Sequence, residues 1–179
     1  MRLLLLIFLL TSAFGKIVVA EAPASVAELF VTPENLKLVR QADKIDACIL
    51  RHIGPAVRAN GSVDWSTERY EETDFASVSA DSAKALRELL LSGQSYDWKS
   101  SRGGRRPQFQ LRLRFHRADE IVAVDFCFSC HALSVTHQGE ELGHANFGRN
   151  GDLFLQILLK VFPEDASLRQ AAREAGLSP

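Results

Sequence analysis

FQLRLRFH (109–116) and IVAVDFCFSC (121–130) are the two stretches whose reading decides the fold. In the first, Phe109, Leu111, Leu113 and Phe115 alternate with Gln110, Arg112, Arg114 and His116, the period of a strand with one buried face. In the second, Val122, Val124, Phe126, Phe128 and Cys130 keep the apolar parity. A two-residue loop at Ala118-Asp119 joins them as a hairpin. It sets Phe115 opposite Val122 and Arg112 opposite Asp125, so both apolar sets fall on one face. The apolar run carries on through Ala132, Leu133 and Val135, and a second turn at Gly139-Glu140 leads to a third strand near 142–147.

Helices flank this sheet. Thr32-Pro33 starts one, with Thr as N-cap and Pro in the first turn. Ser79 or Asp81 caps a second that runs to Leu91, with Ala83, Leu86, Leu89 and Leu90 on one side and Gly93 ending it. Asn150 or Asp152 opens a third, bearing Leu153, Phe154, Ile157, Leu158 and Val161 and stopped by Pro163. Asp165 caps a last one with Leu168, Ala171, Ala172 and Ala175 on one side. Between these, Lys44–Ile53 can continue the first helix or form a strand, and the clustered β-branched residues and the closing Gly54-Pro55 favour the strand; 56–73 reads as a loop with a turn at Asn60-Gly61. Phe75–Val78 reads as a short strand, and 22–31 as a poorly ordered lead-in. Each helix has an apolar stripe that a sheet must cover. The expected class is α+β, a mostly antiparallel sheet with helices packed on one face.

The chain opens like an exported one. Arg2 precedes an unbroken apolar run, Leu3–Leu10, and small residues follow at Thr11, Ser12, Ala13 and Gly15. Cleavage is expected after Gly15 or after Ala20, giving a signal peptide over 1–20 and a single α+β domain over 21–179. A membrane-spanning helix needs roughly 20 apolar residues, and Lys16 interrupts this run, so membrane contact is expected only through the transient leader. No cysteine follows the apolar run to take a lipid. The 21 basic and 22 acidic residues nearly cancel, which argues against a general polyanion binder and against specific nucleic-acid binding. Arg102, Arg105, Arg106, Arg112, Arg114 and Arg117 still make the Arg102–Arg117 region a local basic patch where an anionic ligand is conceivable. A solvated strand face with Asp125 as internal partner for Arg112 is the plainer reading.

Cys127-Phe-Ser-Cys130-His131 spells the attachment signature of a c-type haem, with Cys127 and Cys130 as thioether positions and His131 as proximal ligand. Its context opposes that role. Haem attachment is expected at a helix start, whereas this motif falls within the strand run, and the one methionine of the chain is Met1. In a regular strand, residues three apart point to opposite faces. Cys130 would join Phe126 and Phe128 in the core, and Cys127 would share the other face with Asp125, Ser129 and His131. That geometry opposes a Cys127–Cys130 disulfide or shared zinc ligation unless a bulge reorients one of them. Cys48, on its own strand, is a further disulfide candidate with either. His131, His137 and His144 all fall on the polar face by the same parity, with His137 and His144 as diagonal neighbours. No metal site, catalytic residue or cofactor is expected.

From Trp98 onward the chain resembles a group of small exported bacterial proteins of unknown function. The likeness rests on Leu111–Phe115, on Val124-Asp-Phe-Cys-Phe-Ser-Cys130, on Leu159-Lys-Val-Phe-Pro-Glu-Asp165, where a closing helix ends in Phe-Pro before an acidic pair, and on Tyr96-Asp-Trp-Lys99. It covers under half of the chain and implies export, not an activity. Members of that group often carry another cysteine shortly before the first hairpin strand, and 99–108 has none here, so no shared disulfide or metal scheme is carried over. The functional expectation is a non-catalytic binding or structural domain. The alternatives are thiol redox or metal chemistry at Cys127 and Cys130, and last a monohaem electron carrier.

The haem question has a direct check. Expressed with its leader in a host that matures cytochromes c, the protein is expected to show no covalent haem in a reduced pyridine spectrum. A stoichiometric haem band lost in Cys127→Ala would show the opposite.

Overall fold

A computed structural model describes residues 24–98, 107–148 and 150–177 of the 179. The expected leader over 1–20 lies outside the described residues, as do Arg102, Arg105 and Arg106. The elements in chain order are α1 (Ala24–Phe30), α2 (Pro33–Arg40), β1 (Lys44–Val57), β2 (Val63–Ser77), α3 (Ala80–Leu90), β3 (Leu111–Arg117), β4 (Glu120–Cys127), β5 (Ala132–His137), β6 (Glu140–Asn146), α4 (Gly151–Val161) and α5 (Ala166–Glu174). The six strands form one sheet in the order β2-β1-β3-β4-β5-β6. Every pairing is antiparallel. The fold is α+β, with the helices on one face.

The β3–β4 hairpin has the expected register: Phe115 faces Val122, Arg112 faces Asp125, and the turn is Ala118-Asp119. Leu111, Leu113, Phe115, Val122, Val124 and Phe126 are all fully buried. Each contributes roughly 1.5–3 kcal/mol by leaving water. Leu86 and Leu90 of α3, Phe154 and Leu158 of α4 and Leu168 of α5 complete this core. Phe126 is its hub, with ring centroids 5.3 Å from Phe154, 5.8 Å from Phe128 and 6.0 Å from Phe147. These separations lie in the favourable range for aromatic pairs. The caps fall where the side chains allow them. Thr32 Oγ1 accepts from Asn35 N, Ser79 Oγ from Ser82 N and Asp165 Oδ1 from Leu168 N.

Three expectations are corrected. The lead-in over 22–31 contains a helix, α1, because Val26, Leu29 and Phe30 recur at helical spacing and are buried. It lies so close to β6 that a Cβ on Gly143 would sit 2.7 Å from the Leu29 carbonyl oxygen. Gly54-Pro55 does not close β1, and 56–73 is not a loop. β1 and β2 form one long hairpin around the expected Asn60-Gly61 turn, where Gly61 has φ +81°. Register shifts between His52 and Gly54, and between Pro55 and Ala56, absorb the proline. This part of the hairpin leaves Ile53, Val57 and Val63 exposed, so it lacks the apolar alternation that would announce a strand. It is crossed instead by ion pairs such as Arg58–Asp64. Finally, β4 stops at Cys127. Residues 128–131 turn back, and the presumed continuation becomes β5, giving a four-strand meander instead of three strands.

The helix face generates a test. Leu158 is fully buried and Lys160 is exposed. Leu158→Asp is expected to cost several kcal/mol, about 4 or more, or to prevent folding, because it drives an unpaired charge against the sheet. Lys160→Ala should shift the thermal midpoint negligibly. Denaturation of both variants beside the parent checks the assignment.

Candidate functional site

The turn that ends β4 gathers the residues singled out by the motif. Cys127 is the last ladder residue, paired with Ala132. Phe128 leaves the strand, its N–H donating to Gln110 Oε1 at 2.7 Å. His131 N–H then donates to Phe128 O at 3.3 Å, and His131 takes a positive φ of 50°. This reversal brings Cys130 back over Cys127. Their Cα atoms are 5.6 Å apart and the sulfurs lie at disulfide-bonding distance, within the usual Cα range of roughly 4.4–6.8 Å. The parity argument that kept them apart fails because pleat alternation holds only inside a strand, and Cys130 is no longer in one. Cys127 is fully buried, Cys130 is half-buried, and Ser129 and His131 are exposed. Ser129 Oγ sits 3.6 Å from Cys127 Sγ.

Beside this turn lies a cleft of about 130 Å³. Phe128, Phe147 and Leu155 form its apolar floor, and Ser129, His131, Asp152 and Glu174 stand at its rim. Four segments supply them: the turn, Phe147 just after β6, the first half of α4 and the C-terminal end of α5. Gly151 permits the arrangement, since a Cβ there would come within 2.7 Å of the Phe147 ring. Ligand pockets for drug-sized molecules run about 300–1,000 Å³. A haem does not fit a cleft of this size, and both sulfurs it would need face each other. The cleft suits a single side chain.

The opposite face of the sheet carries an ion-pair network. Arg112 Nε and Nη2 donate to Asp125 Oδ1 and Oδ2 at 2.6 and 2.8 Å, and its Nη1 donates to Glu72 Oε1. Arg114 Nε donates to Asp46 Oδ1 at 2.7 Å, and its Nη1 to Glu72 Oε2 at 3.3 Å. His116 Nε2 and Lys44 Nζ reach Asp46 Oδ2 at 2.9 and 3.1 Å. Burial by itself raises the Asp46 carboxyl, but the Arg114 and Lys44 contacts outweigh it and hold that carboxyl below its ordinary range. At Asp125, burial wins over Arg112 and the net direction is upward. Within the Arg102–Arg117 region, then, Arg112 and Arg114 are met by carboxylates of the same chain. The sequence reading missed Glu72, which joins both arginines, because its segment looked like a loop.

The remaining candidates separate. His137 pairs with Val122, which puts it on the helix side, while His144 pairs with Ser134 on the ionic side. The extra turn at 128–131 moves His137 to the helix side, and the register shift between Val135 and Thr136 in the β5–β6 pairing returns His144 to the ionic side, so the expected diagonal neighbours are on opposite faces. Among the described residues no group of three or more His, Cys, Asp or Glu side chains is placed to hold a metal ion. Cys48 is buried and free, opposite Arg112. Two inter-strand steps of roughly 4.8 Å separate its strand from that of Cys127, too far for a disulfide. Burial, reinforced by Glu72, pushes its thiol up to about 11.

That shift has a measurable consequence. At pH 8 on the order of one Cys48 thiol in a thousand would be ionised, and the thiolate is the reactive form. Native protein treated with iodoacetamide is expected to leave Cys48 unmodified, whereas unfolded protein takes one label there. Rapid native labelling at Cys48 would contradict its placement. Comparison of the chain with protein-family models, with curated proteins and with solved structures gives no match in any of the three, so the site is read from its own chemistry.

Proposed function

We propose that this chain is an exported, non-catalytic binding domain that docks a partner polypeptide by taking one of its side chains into the cleft beside the Cys127–Cys130 turn. The observation that carries this reading is the cleft itself. Its volume of about 130 Å³ matches one side chain, and its floor of Phe128, Phe147 and Leu155 suits an aliphatic stem. Asp152 and Glu174 at the rim favour a cationic head, so the docked side chain is lysine or arginine. Export is supported by the leader-like start, by the paired cysteines, and by the resemblance to small exported bacterial proteins. No helix among the described residues is long and apolar enough to cross a membrane.

The test is a titration of isotope-labelled protein with blocked tripeptides, Ala-Arg-Ala and Ala-Glu-Ala. The arginine peptide is expected to shift the backbone resonances of 128–131, 151–155 and 171–175. Asp152→Asn combined with Glu174→Gln should weaken its binding by about tenfold, the loss of two rim charges worth roughly 1.4 kcal/mol together. Equal shifts from the glutamate peptide, or shifts elsewhere only, would remove this reading.

A further inference from the structure

We infer that Cys127 and Cys130 form a reversible redox pair that exchanges with an external protein dithiol, with Cys130 as the sulfur that is attacked. This is independent of the cleft and rests on the asymmetry of the turn. Cys127 is fully buried and fixed in the β4–β5 ladder opposite Ala132. Cys130 is half-buried, outside any strand, and flanked by the exposed Ser129 and His131. Thiol–disulfide exchange needs an approach to the attacked sulfur and a leaving sulfur that can carry charge. Cys130 offers the approach. At Cys127, the Ser129 hydroxyl 3.6 Å away is placed to donate to the sulfur that departs.

A thiolate of the partner attacks Cys130 Sγ, and a new bond forms between the two sulfurs. The Cys127–Cys130 bond breaks, and its electron pair stays on Cys127 Sγ, which takes a proton from solvent. The partner's second thiolate then attacks its own bound sulfur and frees Cys130, which is protonated in turn. The partner dithiol is oxidised to a disulfide and the Cys127–Cys130 pair is reduced by two electrons and two protons. In the reverse direction the pair oxidises a partner dithiol. The reduced Cys130 thiol retains a carbonyl acceptor, Cys127 O, 3.8 Å from its sulfur. Cys48 does not intrude, because it is buried on β1 with a thiol held protonated. Opening the bond frees the turn and leaves the β4–β5 ladder in place.

The test uses the full chain without its leader and glutathione as the thiol probe. Oxidised protein is held in buffers of graded reduced-to-oxidised glutathione ratio, quenched in acid, and mapped by mass spectrometry, with far-UV circular dichroism recorded in parallel. The pair is expected to reduce and reoxidise reversibly while the dichroism stays unchanged. Trapped glutathione should sit on Cys130 in about tenfold or greater excess over Cys127, following access to the sulfur. Ser129→Ala should slow the first step several-fold without changing the thermal midpoint of the reduced protein. Reduction only after unfolding would make the pair a static staple and overturn the inference, as would an adduct found mainly on Cys127. Should Ser129→Ala fail to fold, adduct mapping on the parent protein still decides.

Discussion

The pairing of β3 with β4 is the constraint on which the other layers depend. Because the pleat has a period of two, the register that sets Phe115 against Val122 also sets Arg112 against Asp125. One choice thus sorts Leu111, Leu113, Phe115, Val122, Val124 and Phe126 to one side and the ionic residues to the other. A slip of one residue would turn one strand over against the other: with β4 inverted, Asp125 would enter the aromatic core and Val122, Val124 and Phe126 would leave it. With roughly 1.5–3 kcal/mol at stake per large side chain, no other register competes.

The two sides then diverge. On the helix side, Phe126 sits among Phe128, Phe147 and Phe154, which belong to the Cys127–Cys130 turn, the end of β6 and α4. This cluster ties the turn to the helices, so the cleft between them has a rigid floor.

On the other side, the chain keeps two arginines and three carboxylates partly out of water. Removing Arg112 would leave Asp125 nearly buried and unpaired, at a cost of about 3–5 kcal/mol, although the assembled network adds far less than that in net stability, because desolvation offsets most of the attraction. Its effect is on specificity. Glu72 reaches both Arg112 and Arg114 from β2, so the network ties β2 to β3 across β1, which is itself held to the meander by its ladder with β3 and by Ile45, Ala47 and Ile49 in the core.

The fold class, the β3–β4 register, the caps of α2, α3 and α5 and the burial of Phe154 and Leu158 on α4 were legible in the residues, because each depends on spacing along the chain: period two, helical period, or a capping side chain three residues from its donor; on α4 the stripe is turned slightly from the expected one, so that Leu153 is exposed and Leu155 is buried instead. What spacing cannot report is where a strand stops when its apolar character continues. Phe128 looks like a further strand residue and instead belongs to a turn, and from that one point follow the meeting of Cys127 with Cys130, the placing of His137 on the helix side and the existence of the cleft. Nor does local pattern reveal a strand such as β2, whose partners are charges brought in from β1 and β3. The cysteines, the histidine and the acids of the site were visible as residues. Their grouping was decided in three dimensions, because a backbone reversal of four residues and the docking of α4 and α5 against Phe147 and Phe128 place side chains from four separate segments around one cavity, and no periodicity along the chain encodes that distance.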